Sequence, residues 1–158
     1  MCRGIALPKD RIPHELFEEY ELARLVHRRD ETDEEELWFD FADRAPSVWL
    51  PVLSHGQLVI REWGNRSGTG KLPKTGWCQQ ESLSAGKWRW LNPESAEIPA
   101  AFGLEKGIWF PVAEGIKSIL VRDESRREHA YMLTEPASPD YQAMTRHNRM
   151  PVLIGQVI

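Results

Sequence analysis

The sequence predicts an α+β fold in which an antiparallel, barrel-like β-sheet carries two or three flanking helices. Short apolar stretches typical of strands recur along the chain, and turn-forming residues separate them. They do not alternate with helices in the order that builds a parallel sheet. The 158 residues are 41% hydrophobic, which is enough apolar material for one core. We therefore expect a single domain over residues 1–158.

Eight segments have the length and composition of strands. In chain order they are residues 2–7, 37–41, 48–53, 57–63, 107–112, 116–122, 129–134 and 152–158. The third and fourth should form a hairpin that turns at Ser54-His55-Gly56, and a charged turn at 123–128 should join the sixth and seventh.

Helical spacing is found in fewer places. Residues 14–28 have apolar side chains at helical intervals, and residues 139–147 follow Ser138, a suitable N-cap. Residues 77–90 are compatible with an irregular helix, whereas residues 92–103 give only weak signals and are interpreted as a connection.

Composition excludes several classes of protein. The sequence has no apolar run long enough to cross a bilayer and no secretory signal pattern, so we expect a cytoplasmic protein without membrane contact. Its two cysteines, Cys2 and Cys78, form no CxxC pair or His/Cys cluster. We therefore expect no metal, no cofactor and no disulfide bond. We also expect the protein to act as a monomer.

The net charge of −4 hides a segregated charge pattern. Acidic residues cluster between positions 15 and 36, whereas cations dominate positions 61–90 around a glycine-rich loop. This loop lacks the spacing of a phosphate-binding P-loop. It could serve as a platform for single-stranded DNA, with aromatic rings on bases and cations on phosphates. The predicted DNA-binding residues there are Arg61, Trp63, Arg66, Lys71, Lys74 and Trp77. The alternative is an ordinary solvated loop anchored by its tryptophans.

Cys2 directly follows the initiator methionine. If an aminopeptidase removes Met1, Cys2 presents a free amine beside its thiol. An α-amine has a pKa of about 7.7–8.0 and a thiol of about 8.5, so both are partly reactive near neutral pH. Such a 1,2-aminothiol captures aldehydes by forming an imine that closes to a thiazolidine.

His147 lies where the last predicted helix ends, between Arg146 and Arg149. Imidazole exchanges protons near neutral pH, and two neighbouring cations favour its neutral form. His147 is therefore a candidate general acid and base. The alternative is a histidine that only hydrogen-bonds at a helix end.

These landmarks resemble the SOS response-associated peptidase family, whose members process abasic sites in single-stranded DNA. Met1-Cys2-Arg3 is similar to the family's amino terminus, and His147-Asn148-Arg149-Met150-Pro151 agrees with its His-x-Arg-Met-Pro. Three further segments support the resemblance in the same chain order. They are Trp63-Gly64, Trp109 to Val112 and Tyr131 to Ala137.

The resemblance implies that trimmed Cys2 forms a covalent crosslink with the ring-opened abasic site, assisted by His147, with Arg149 at the DNA. The chain departs from the family in two places. Trp77 to Gln79 replace its Asn-Ala-Arg, and its glutamate falls near Ser118. This leaves Glu81 and Glu114 as candidate acid/base carboxylates.

Two other functions remain open. One is a non-catalytic module of the same fold that binds single-stranded nucleic acid. The other is an N-terminal-nucleophile peptidase or amidohydrolase that uses Cys2.

Overall fold

The computed structural model describes residues 1–31 and 33–158. These residues form an α+β fold in which strands predominate, as predicted. The strands are β1 (Gly4–Pro8), β2 (Val26–His27), β3 (Glu36–Asp40), β4 (Trp49–Ser54), β5 (Gln57–Trp63), β6 (Trp77–Gln79), β7 (Glu94–Ile98), β8 (Phe102–Glu105), β9 (Ile108–Pro111), β10 (Ile116–Arg122), β11 (Glu128–Pro136) and β12 (Arg149–Pro151). The α-helices are α1 (His14–Glu19), α2 (Gln80–Ser84) and α3 (Pro139–Thr145).

Five strands close into a barrel in the order β10-β7-β4-β5-β11, with β10 pairing back to β11. All of these pairs are antiparallel except β5 with β11, which is parallel. Closure leaves these strands without a free edge in the ring. Two short strands, β6 and β12, add to β11 outside the ring.

A second, antiparallel sheet has the order β2-β3-β1-β8-β9. Its central strand is β1, so the amino terminus is held between two neighbours. Ile5 and Leu7 of β1 and Phe39 of β3 belong to the same buried cluster as Leu50 and Ile60 of the barrel. This shared core fixes the amino terminus against the barrel wall.

Most predicted strands are confirmed, and so is the N-cap of α3. The Ser138 side chain accepts a hydrogen bond from the Tyr141 N–H at 3.1 Å, and Pro139 begins the helix. The hairpin of β4 and β5 turns at the predicted place, where His55 has a positive φ of 51°.

The helix predicted over residues 14–28 is too long. It ends at Glu19 because Glu21 adopts a left-handed conformation, with φ of 52°. A short 3₁₀ turn, Leu22–Leu25, follows and buries both of its leucines. The apolar spacing there comes from two short helical pieces.

Three other segments also differ from the predictions. Residues 77–90 begin as strand β6, because the backbone of Trp77–Gln79 pairs with β11. Residues 92–103 contain strand β7 and the start of β8, and the buried Ala96 and Ile98 of β7 alternate with exposed side chains. In residues 152–158, only Leu153 makes a β-bridge, to Ile116.

Candidate active site

The amino-terminal amine lies in a polar site between the side chains of Glu105 and His147. Its nitrogen is 2.6 Å from the Glu105 carboxylate and 2.7 Å from Nε2 of His147. We call the amine together with Glu105 and His147 the amine site. It joins the first residue of the chain to the end of β8 and to the segment after α3.

Glu105 is the carboxylate of this site, and sequence analysis did not identify it. Its residue is only 2% exposed, and it ends β8, the strand beside β1. A buried carboxylate needs a charged partner or hydrogen bonds, and the terminal ammonium supplies both. The sequence gives no signal for it, because alternation in Phe102-Gly103-Leu104-Glu105 would place the two apolar side chains inside, whereas the structure buries Gly103 and Glu105.

His147 follows a left-handed turn at Arg146, with φ of 59°, that ends α3. Its Nε2 faces the terminal ammonium, which can only donate, and its Nδ1 lies 3.1 Å from the backbone N–H of Arg149, which donates to it. That Nδ1 lies 3.4 Å from the Glu105 carboxylate and 3.2 Å from the Arg149 carbonyl. The ring can therefore pass protons between the amine and the groups around its Nδ1.

The Cys2 thiol is fully buried beside this site. Its Sγ donates to the Gly4 carbonyl at 3.2 Å. Burial, together with the nearby negative charge of Glu105, raises the pKa of the thiol to about 12, although backbone hydrogen bonds oppose the shift. In the chain that carries Met1, the sulfur is thus held as a shielded thiol.

Trp77 fixes the backbone at this point. Its indole Nε1 donates to the Cys2 carbonyl at 2.9 Å. The ring packs against Phe41 and Trp63, with centroids 4.7 and 5.9 Å away. The backbone N–H of Arg3 donates to Leu104 at 2.9 Å. These contacts leave the amino-terminal residues little freedom.

The predicted stacking role of Trp63 is wrong. Its side chain is 0% exposed, and its indole N–H donates to the Gly76 carbonyl at 2.9 Å. Gly76 is closely covered, since a β-carbon there would lie 2.7 Å from that nitrogen. Trp63 therefore anchors the glycine-rich loop from within the core. Trp77 is partly exposed, but its polar atom is used by Cys2.

The four cations predicted to bind DNA around the glycine-rich loop differ in whether their charge is already paired. Arg61 pairs with Glu128 at 2.9 Å. Arg66 donates to the backbone carbonyls of Phe41, Asp43 and Ala45. Among the described residues, the exposed Lys71 and Lys74 have no ion pair. The loop thus offers phosphates fewer cations than its composition indicates.

The two carboxylates predicted as acid/base candidates lie outside the amine site. Glu81 is exposed and binds Arg149 at 2.6 and 3.1 Å, which lowers the pKa of its carboxyl. Glu114 is exposed in the turn before β10, where it borders Gly155. Ser118 is buried and donates to the Tyr131 carbonyl at 3.0 Å. The carboxylate that contacts the terminal amine is that of Glu105.

Three cations are next in sequence to Cys2, Glu105 and His147, and the first of them, Arg3, pairs with Asp40 at 3.0 Å. Arg3 follows Cys2, Lys106 follows Glu105, and Arg146 precedes His147. All three are exposed, and Lys106 Nζ donates to the Arg146 carbonyl at 3.0 Å. With Arg149, which donates to Thr134 at 2.9 Å, they form what we call the basic rim.

Neither a metal cluster nor a disulfide is found in the described part of the chain. No group of three or more His, Cys, Asp or Glu side chains in residues 1–31 and 33–158 could hold a metal ion. Cys2 and Cys78 are both free and buried. Within the same residues, no helix has the length and apolar character needed to cross a membrane.

The fold is similar to that of a solved protein. An X-ray crystal structure of a protein from Bordetella bronchiseptica superposes with a TM-score of 0.54 and 17% sequence identity, over 96% of this chain and 83% of that chain. At this identity the likeness establishes the shared fold. No protein family profile and no curated protein sequence matches the chain.

Proposed function

We propose that the chain, once Met1 is removed, captures abasic sites in single-stranded DNA through a thiazolidine at Cys2, as the SOS response-associated peptidase family does. One observation carries the proposal: the amino terminus lies 2.6 Å from a buried carboxylate and 2.7 Å from an imidazole. Clusters of titratable side chains around one group occur preferentially at functional sites. The landmarks from Cys2 to Pro151 support the same assignment.

Removal of Met1 shortens the chain by one residue and makes the Cys2 nitrogen the new terminus. Successive Cα atoms are about 3.8 Å apart, so the new amine lies within about 4 Å of the present one. Contact with Glu105 and His147 then requires the new terminus to move toward them by about this distance.

The proposed reaction balances with one water released. The amine lone pair attacks the aldehyde carbon, a C–N bond forms, and the C=O π pair becomes an oxyanion that is protonated to a carbinolamine. Loss of water gives an imine. Sγ then attacks the imine carbon, a C–S bond forms, and the thiol proton ends on nitrogen.

Glu105 and His147 divide the proton transfers. The amine must lose a proton to attack, and either partner can accept it at hydrogen-bond distance. The departing oxygen must gain protons to leave as water, which the imidazole can supply. The thiol must lose a proton despite its raised pKa, and Glu105 or His147 is the proposed acceptor.

The basic rim is the better candidate DNA interface. Lys106 and Arg146 are exposed and next in sequence to Glu105 and His147, and Arg3, next to Cys2, is exposed and paired with Asp40. Phosphates bound by these cations would flank a sugar at Cys2. At the glycine-rich loop, the side chain of Trp63 is buried in the core, and that of Arg66 binds backbone carbonyls. Neither side chain is free to bind DNA there. Lys71 and Lys74 are left as secondary contacts.

The test uses protein with an amino-terminal leader that a protease removes to leave Cys2 first. Cleaved protein should form a denaturation-resistant species with abasic single-stranded DNA, whereas uncleaved protein and Cys2→Ala should not. Cys78→Ala is the matched control and should crosslink normally. If cleaved wild type binds DNA but forms no such species, the non-catalytic binding function is favoured. Turnover of a peptide amide without an aldehyde adduct would instead favour the amidohydrolase.

A further inference from the structure

Tyr141 has a buried hydroxyl with no structural use. The residue is 0% exposed, and its Oη has no hydrogen-bond partner within the part of the chain described by the structure. Leaving a buried hydroxyl without a partner costs free energy, and phenylalanine would avoid this cost. A tyrosine at such a position therefore calls for an explanation.

The ring of Tyr141 is fixed firmly. Its backbone N–H donates to the Ser138 cap at 3.1 Å, and its carbonyl accepts from the Thr145 hydroxyl at 2.8 Å. The ring meets Phe110 edge-on, with centroids 5.3 Å apart and planes at 80°. The hydroxyl cannot turn out to solvent to find a partner.

This hydroxyl belongs to the surroundings of the amine site. Tyr141 is part of the core cluster that contains Cys2, and α3 carries it on the same segment that positions His147. Burial, followed by the nearby acidic groups of Cys2 and Glu105, raises the pKa of the phenol. The group therefore stays protonated and available as a donor across the working pH range.

We propose that the Tyr141 hydroxyl donates a hydrogen bond to the aldehyde-derived oxygen when the Cys2 amine attacks. This inference rests on the proposed function. As the C–N bond forms, the π pair moves to oxygen, and a donor already fixed nearby stabilises that negative charge without reorganisation. The Tyr141 proton is shared but not transferred. The proton lost by nitrogen goes to Glu105 or His147.

Tyr131 offers a matched control on the same fold. It is also fully buried, but its hydroxyl donates to the Pro73 carbonyl at 2.8 Å. Tyr131→Phe should lower the melting temperature because Pro73 loses its donor. Tyr141→Phe should leave the melting temperature unchanged or raise it, because no bond is lost.

The experiment measures the rate of adduct formation by cleaved wild type, Tyr141→Phe and Tyr131→Phe with two probes. One is abasic single-stranded DNA and the other is glycolaldehyde, followed by intact mass. Tyr141→Phe should react about 10- to 100-fold more slowly with both probes, at unchanged DNA affinity. Tyr131→Phe should react at the wild-type rate at a temperature where it is folded.

Equal rates for Tyr141→Phe and wild type would overturn the inference. So would a melting temperature lowered as much as in Tyr131→Phe, because the hydroxyl would then have a structural bond. If wild type reacts with glycolaldehyde only, the DNA function fails, and a slower Tyr141→Phe still supports the role of the hydroxyl. Reaction with neither probe overturns both proposals.

Discussion

The Glu105 carboxylate lies 3.4 Å from the His147 imidazole, with the chain's terminal amine in contact with both. Three distant parts of the sequence thus meet at one partly buried polar site. The carboxylate provides a charge partner for the amine, and the imidazole connects the amine to the more open edge at Arg149. This relationship distinguishes the site from an ordinary salt bridge at a chain end.

Glu105→Gln should slow aldehyde capture by about 100-fold or more, because it removes a proton acceptor and the charge partner of the amine while keeping the shape. The check is the rate of adduct formation by cleaved protein under single-turnover conditions. Glu114→Gln is the matched control and should be indistinguishable from wild type. Equal rates for both variants would remove Glu105 from the mechanism.

Trp77→Phe should cost about 1 kcal/mol in the free energy of unfolding, because the ring is largely kept but the indole N–H no longer reaches the Cys2 carbonyl. It should also slow capture, since the first residues are less firmly held. Denaturant unfolding and the adduct rate measure the two effects. A stability loss without any change in rate would show that this hydrogen bond serves the fold alone.

Arg146→Ala and Lys106→Ala should each weaken binding to single-stranded DNA and reduce the slope of log affinity against log salt by about 0.7, the value expected for one lost phosphate contact. Titrations at several salt concentrations test this. Lys71→Ala and Lys74→Ala are controls that should have smaller effects. If the loop lysines dominate the salt dependence, the DNA path crosses the glycine-rich loop and the basic rim is not the interface.

The strand-rich architecture followed from the sequence because most strands have apolar runs bounded by turn residues. Strands β7 and β8 were missed because Glu94 to Glu97 expose polar side chains on alternate positions and Pro99 interrupts the pattern. The long first helix was overextended because helical spacing continues past the left-handed Glu21. Local pattern cannot show where tertiary packing breaks an element.

The sequence indicated Cys2 and His147 as site residues, and the structure places both at the amino terminus. It could not identify Glu105, because a single glutamate at a strand end looks like a solvated residue until its neighbours are known. The prediction for Trp63 had the opposite error. Its position beside a polar loop indicated exposure, whereas the loop folds back and covers it.

A separate prediction concerns His129, which lies 2.8 Å from Asp123 and 3.2 Å from Glu62. Burial opposes its charge, but the hydrogen bonds that the imidazole donates to Glu62 and Asp123 outweigh burial and raise its pKa to about 9. The pKa of an unfolded histidine is about 6.5, so protonated His129 contributes its full stabilisation below about pH 6.5. This stabilisation is lost as the pH rises through about 9, the pKa in the folded protein.

The free energy of unfolding should therefore fall between about pH 6.5 and 9, by on the order of 3 kcal/mol from this group. Denaturant unfolding across this range measures it. His129→Gln should be less stable at pH 6.5 and should show a flatter profile. A wild-type profile that is flat or rises over this interval would contradict the assignment of a charged His129.

The most direct test of the account is the mass and position of the adduct formed without reductant. Cleaved protein and an abasic oligonucleotide should give a species whose mass is the sum of both minus one water, and peptide mapping should place the bond at Cys2. Glu105→Gln should form it far more slowly. An adduct at a lysine, an adduct that survives only after borohydride reduction, or no adduct at all would contradict the claim that this amino terminus captures aldehydes.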